Sequence, residues 1–257
     1  MERAEQIAWE IIGQHRAGRT YRQLTGDFMP RDIDEAYAVQ SELHDIHARE
    51  GRGILGGRKI ALASKVQQEL CGVDHPIAGG IFKGEIMESP AKISLADYHG
   101  LGVEFELAIE IERTISRPGL DRDSIRPHIA CIRPAFELII DRDADYSILD
   151  ARTMIADNAW CAGVIIGDPI EDWHKLDIDS LPCRLEWTAE DPAKAVAGDA
   201  DPIGSLVWIA NLIAGQGLSI RAGEIVITGS VIKTRYPKGP VKTQYQIADQ
   251  AVELSID

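Results

Sequence analysis

Residues 103–112 read Val-Glu-Phe-Glu-Leu-Ala-Ile-Glu-Ile-Glu, an alternation without a break. Val103, Phe105, Leu107, Ile109 and Ile111 are apolar, while Glu104, Glu106, Glu110 and Glu112 are acidic with Ala108 between them. A period of two over this length predicts a β-strand with one face buried. All four acids then share the opposite face, where stacked like charges are unfavourable unless a cation or water compensates. Glu104 and Glu106 lie about 6.6 Å apart along such a strand, close enough to ligate one divalent ion. Glu110 and Glu112 are too far along to share it. A solvated strand face is the plain alternative, since many antiparallel sheets have one.

The chain has 257 residues and a formal net charge of -14. That balance argues against nucleic acid as a partner, because phosphate binding needs a basic surface, and it disfavours anionic membranes. Cys71, Cys131, Cys161 and Cys183 are widely spaced with no CxxC pair, so zinc-site spacing is absent and free buried thiols are expected. The first residues place acids where a secretion signal carries a basic end. No apolar run approaches a membrane span. A reduced cytoplasm is the expected setting.

Helical spacing runs through residues 2–17, and Asp32 is placed to cap a second helix over 33–50. Residues 51–57 are glycine-rich but lack the phosphate-loop spacing. A short strand follows in which Lys59 stands beside small and apolar residues, where a snorkelling surface lysine is the plain reading. Ser64 can cap a helix over 65–70. Residues 77–93 read as short strands and turns, 101–113 as the long acidic strand, and 123–129 as a helix. Residues 130–140 read as a second strand in which Glu137 is the only acid of a strongly apolar run. A lone buried carboxylate is costly unless it is paired, neutralised or bound to metal. A short helix over 149–156, strands at 160–166, 184–187, 224–228 and 251–256, and a buried helix over 202–215 complete the pattern. Helices come first and mixed strands follow, which predicts an α+β fold with a β-rich body.

If the strands carrying Glu104, Glu106 and Glu137 are neighbours, three carboxylates converge. An all-oxygen site suits a hard cation such as Mg²⁺ or Mn²⁺. At these residues the chain resembles the 2-keto-4-pentenoate (2-hydroxypenta-2,4-dienoate) hydratases and the 4-oxalocrotonate decarboxylases, of the fumarylacetoacetate hydrolase superfamily. The matching motifs are Gly57-Arg-Lys59-Ile, Gly72-Val-Asp74-His-Pro76, Glu104-Phe-Glu106-Leu-Ala, Pro134-Ala-Phe-Glu137, Ala156-Asp-Asn158-Ala, Trp208-Ile-Ala-Asn211 and Gly223-Glu-Ile-Val-Ile-Thr-Gly229. Each is weak alone; their common order along residues 4–256 is specific.

The resemblance implies a single catalytic domain over 1–257, with a mainly helical N-terminal region at 1–75. Residues 76–257 would form a mixed, barrel-like β-rich core of the fumarylacetoacetate hydrolase C-terminal type. It implies a divalent cation, Mg²⁺ or Mn²⁺, at Glu104, Glu106 and Glu137, acid–base roles for Lys59 and Asp74, and substrate contacts at Ser64, Asn158 and Ser230. From the residues alone Asp74 is an ordinary turn aspartate. A lysine buried beside a metal is expected to have its proton affinity lowered. The implied substrate is a small 2-hydroxy- or 2-oxo-dienoate from aromatic catabolism, hydrated to a 4-hydroxy-2-oxo acid by a homo-oligomer.

The alternatives are a decarboxylase of a 2-oxo-enedioate, a carbon–carbon hydrolase of an acylpyruvate, and a non-catalytic metal-binding scaffold. Two departures bear on the substrate. Ala61 and Ala63 stand where relatives usually carry glycine and threonine. Residues 233–242 carry Lys233, Arg235, Lys238 and Lys242 where relatives run apolar. That stretch reads either as a solvated basic loop or as a contact for a second anionic group on the substrate.

Overall fold

The computed structural model describes residues 2–257. The chain opens with α1 (Arg3–Arg16) and α2 (Ile33–Arg49). α1 buries Ile7, Ala8, Ile11 and Ile12, a stripe at helical spacing, against Val39, Leu43 and Ile46 of α2. Asp32 caps α2 by accepting from the Glu35 amide. Then come β1 (Leu55–Ala61) and α3 (Lys65–Leu70), the latter opened by a capping box between Ser64 and Gln67. The chain continues through β2 (Ile77–Phe82), β3 (Ile86–Glu88), β4 (Ala91–Ile93), β5 (Leu101–Ile111), β6 (Ile129–Ile140), α4 (Ala151–Ala156) and β7 (Cys161–Ile166). It ends with β8 (Pro182–Trp187), β9 (Ala193–Val196), α5 (Pro202–Gly215), β10 (Ile225–Ile227), β11 (Ile232–Arg235), β12 (Val241–Ile247) and β13 (Gln250–Ile256).

Two sheets carry the fold. The larger runs β2-β1-β10-β5-β6-β7-β3, with β11 also on β5; the smaller runs β4-β13-β12-β8-β9. The apolar face of β5 lies between them. Phe105 packs edge-on against Phe136 of β6 and against Trp187 and Tyr245 of the smaller sheet, at centroid distances of 5.9, 6.1 and 5.8 Å. The other face of β5 looks into the concave side of the larger sheet, where Ala108 joins Ile81, Val164 and Ile227. That sheet is strongly curled. β1 and β6 are three ladder steps apart, about 14 Å in a flat sheet, yet Lys59 on β1 touches Glu137 on β6. It does not close: β2 and β3 end the ladder on opposite sides. The architecture is the expected α+β with few helices, but the barrel-like core is a curled open sheet.

The acidic strand has a broken partner. β10 pairs with Ala108 to Glu110, β11 pairs with Val103 and Phe105, and the chain leaves the ladder between them. There the Thr228 hydroxyl donates to the Leu107 carbonyl (3.0 Å) and the Gly229 amide donates to Glu106 Oε2 (2.7 Å). Gly229 has φ +106, and a Cβ on it would press on the Ala63 methyl at 3.2 Å.

Some expectations change. The helix expected over 123–129 is a single 3₁₀ turn, Arg126–His128. Asp121 Oδ1 takes the amides of Asp123 and Ser124, and Pro127 supplies no N–H. Strands β9, β11 and β12 stand where none was read. In β12 the alternation of buried Val241, Thr243, Tyr245 and Ile247 is in the sequence, but the lysines and the Gly-Pro before it mask the pattern. β1 lies inside the first 75 residues and is nevertheless an inner strand of the larger sheet. Cys71, Cys161 and Cys183 are buried free thiols, and Cys131 is half-buried.

Phe105 is fully buried at the junction of both sheets. Phe105→Ala should therefore cost about 3–5 kcal/mol, read as a lowered urea midpoint with an unchanged slope.

Candidate active site

Glu104 and Glu137 are direct partners across β5 and β6, and Glu106 faces Ala135 two positions on. One carboxylate oxygen from each of the three glutamates lies within 4.8 Å of the others. Glu106 and Glu137 are completely buried. Glu106 Oε1 and Glu137 Oε2 have no partner, and Glu137 Oε1 meets only the Lys59 ammonium. Buried acceptors are normally satisfied. Two orphan oxygens in one buried carboxylate cluster therefore call for a cation. The all-carboxylate donor set fits a hard divalent ion. Glu104 is held from the other side by the Thr234 hydroxyl, at 2.6 Å from its Oε1.

Lys59 reaches the cluster from β1. Its stem crosses Gly79, its cross-strand neighbour, and a Cβ at position 79 would stand 3.0 Å from Lys59 Cγ. Its ammonium forms an ion pair with Glu137 Oε1 at 2.9 Å and donates to the Ala159 carbonyl at 3.0 Å. Burial by itself lowers the pKa of Lys59, but the adjacent Glu137 and then Glu104 outweigh it, and the lysine is held above its ordinary range. Burial, with Glu137 and Glu104 as neighbours, pushes Glu106 well above the carboxylate range. Burial likewise raises Glu137, to about 7, although Lys59 acts against the shift.

Lys59 and Glu104 open onto a cavity of about 680 Å³, a size usual for small-molecule sites. Much of its wall is apolar, with Leu62, Met154, Trp160 and Trp208. Ser64 and Ser230 lie on its wall. The Ser230 hydroxyl is already engaged, donating to the Ile232 carbonyl (2.7 Å) and accepting from the Phe105 amide (2.9 Å). Asn158 is absent from the wall. It is buried, and its amide is spent on Gly80 and His44. Asp74 is exposed on the turn after α3, with its carbonyl accepting from Lys65 Nζ, and it too stands off the wall.

The basic stretch is a strand, a turn and a strand rather than a loop. Lys233 lines the cavity, Arg235 pairs with Glu190, and Tyr236 meets the Tyr146 hydroxyl at 2.6 Å. Glu110 pairs with Arg133, and Glu112 is exposed. Thr234, the Gly229 amide and the Ala159 carbonyl were not singled out from the sequence. The latter two are backbone groups, which no residue pattern marks.

No family model matches the chain. Curated relatives do. It is 28% identical over 233 residues to a 2-keto-4-pentenoate hydratase of Paraburkholderia xenovorans (strain LB400), covering 90% of this chain and 86% of the relative. It is 28% identical over 222 residues to a 2-hydroxyhexa-2,4-dienoate hydratase of Comamonas testosteroni, covering 84% and 83%. By sequence the chain is a relative of these hydratases. In fold it matches a 4-oxalocrotonate decarboxylase of Pseudomonas putida G7, solved with magnesium and adipate. The TM-score is 0.89 at 21% identity, covering 99% of this chain and 97% of that one. The described residues contain no helix long and apolar enough to cross a membrane.

Native Glu106 and Glu137 bind their protons more tightly than the unfolded chain does. Their contribution to stability is full at low pH and is lost as pH rises. The chelator-treated protein should therefore melt at lower temperature at about pH 8 than at about pH 5. Glu106→Gln should flatten that slope in a thermal scan, and the rise in melting temperature on adding Mg²⁺ should be larger at the higher pH.

Proposed function

We propose that this chain is a divalent-metal-dependent hydro-lyase. It adds water to a 2-hydroxy-2,4-dienoate, or its 2-oxo tautomer, and yields a 4-hydroxy-2-oxo acid from aromatic meta-cleavage products. One observation carries the reading: three convergent carboxylates with orphan oxygens and a buried lysine form one cluster, which Glu104 and Lys59 open onto a cavity. The similarity to hydratases along most of the chain supports it.

Glu104, Glu106 and Glu137 would hold Mg²⁺ or Mn²⁺. The ion would supply Lewis acidity toward the substrate's carboxylate and C2 oxygen. Lys59 holds a fixed positive charge on the cavity side of the glutamates, placed to stabilise negative charge developing on the substrate. Asp74 reaches the substrate only if the segment after α3 folds inward, so in the conformation described here the proton-carrying group at the site is Lys59. The catalytic unit spans the chain from end to end, since β1, β5, β6 and the β10–β11 connection each contribute to it. A homo-oligomer is part of the proposal, to be read by light scattering.

A second reading has one observation of its own. Lys233 lines the cavity and makes no ion pair among the described residues. A free cation there suits a diacid, and so a decarboxylase of a 2-oxo-enedioate.

A chelator should abolish loss of the dienoate's ultraviolet absorbance, and Mg²⁺ or Mn²⁺ should restore it; full activity without metal would overturn the reading. Glu137→Gln should lower activity at least about 100-fold, the scale of losing one preorganised electrostatic group. Release of CO₂ from a 2-oxo-enedioate without hydration of a dienoate would establish the second reading instead.

A further inference from the structure

Asn158, Ala159 and Trp160 are consecutive non-glycine residues in the left-handed region, with φ of +51, +47 and +62. All three are buried. Such a run is rare and persists only where its surroundings enforce it. The enforcing contacts come from the Asn158 side chain. Its Oδ1 accepts from the Gly80 amide (2.7 Å) and lies 2.7 Å from His44 Nε2, and its Nδ2 donates to the Gly80 carbonyl (2.8 Å). Burial drives the pKa of His44 down to about 3, so the ring is neutral and its Nε2–H is the donor. Space for the clamp is kept by two glycines. A Cβ on Gly80 would stand 2.8 Å from His44 Cε1, and one on Gly79 would stand 2.7 Å from the Asn158 carbonyl. Next in the chain, the Ala159 carbonyl accepts from Lys59 Nζ.

We propose that Asn158 is a positioning residue rather than a substrate contact: clamped by Gly80 and His44, it holds the left-handed turn that aims the Ala159 carbonyl at Lys59 and so fixes the ammonium beside Glu137. A buried ammonium has three N–H bonds to satisfy. Glu137 alone leaves it free to swing toward whichever carboxylate is nearest. The carbonyl supplies the second anchor and sets its direction. The connection runs from α2 through His44, Asn158 and the turn to Lys59. It gives the helical N-terminal region a part in the site, and it accounts for the Ala-Asp-Asn-Ala motif without any ligand. Asp157 beside it is held by His15 and Arg142, which pins the start of the turn.

The inference rests on the proposed function for its kinetic arm only. Asn158→Asp keeps the acceptor for His44 but sets an oxygen against the Gly80 carbonyl. Asn158→Gly suits the positive φ and removes the clamp, so it serves where the aspartate variant does not fold. Turnover of a 2-hydroxy-dienoate with Mg²⁺ should fall about 30-fold in kcat, a typical scale for a displaced reacting group, with KM within about threefold. Mn²⁺ affinity, followed by electron paramagnetic resonance, should stay within about threefold. In a Lys59→Met background the same substitution should cause no further loss, because it acts through the lysine.

Independently of turnover, acetic anhydride labelling of the metal-free protein, read by mass spectrometry, should modify Lys59 about tenfold faster in the glycine variant. Exposed Lys175 serves as the internal reference. An equal loss in both backgrounds, a raised KM with kcat retained, or unchanged Lys59 labelling would overturn the proposal. If wild type turns over no dienoate, the functional reading fails, and the labelling arm still decides the positioning role.

Discussion

The structure depends on how one ammonium and three carboxylates are kept together in one buried cluster. Glu106 and Glu137 are fully buried, Glu104 half-buried, and Lys59 is buried among them. Like charges in that setting raise one another's proton affinity, and a buried charge without a partner costs several kcal/mol. Lys59 offsets one negative charge through Glu137, and Gly229 and Thr234 donate to the other two glutamates. What stays unbalanced is acceptor capacity, in the form of the orphan oxygens Glu106 Oε1 and Glu137 Oε2. A site short of positive charge and rich in oxygen is what a hard cation completes.

The fold supplies this arrangement by curling one sheet around it. β5 and β6 place Glu104 opposite Glu137, the interruption between β10 and β11 turns a backbone amide onto Glu106, and the curl brings β1 close enough for Lys59 to reach across. On the convex side, Phe105 and Phe136 pack against the smaller sheet, so each strand is anchored by apolar burial one residue away from each acid. The strand alternation does both tasks at once. Burial of Val103, Phe105 and Leu107 on β5 and of Phe136 and Leu138 on β6 fixes the register, and the register delivers Glu104, Glu106 and Glu137 to the other face.

Other parts of the site are held by backbone that residue types do not announce. The turn at Asn158 to Trp160 lies in the left-handed region without a glycine, and its cost is met by the His44 and Gly80 contacts from α2 and β2. The family resemblance implies a substrate contact at Asn158. In place, every polar atom of its amide is occupied. Ser230 shows the same effect more mildly, facing the cavity with its hydroxyl committed to backbone.

By itself the sequence determined the strand of alternating acids, the lone acid of the second strand, the capped helices and the buried helix at 202–215. These follow from periodicity and capping, which are local and therefore legible. It also set apart Glu104 and Glu106 from Glu110 and Glu112 by distance along one strand. Only the tertiary structure decided that Glu137 stands directly across from Glu104 and that the core is a curled open sheet. It also decided that Lys59 pairs with Glu137 and with the Ala159 carbonyl, and that Asp74 faces solvent. Those outcomes depend on which strands neighbour each other and how far a sheet bends. Contacts between residues 33 positions apart (Glu104 and Glu137) and 78 apart (Lys59 and Glu137) create them, and no short window along the chain contains both partners.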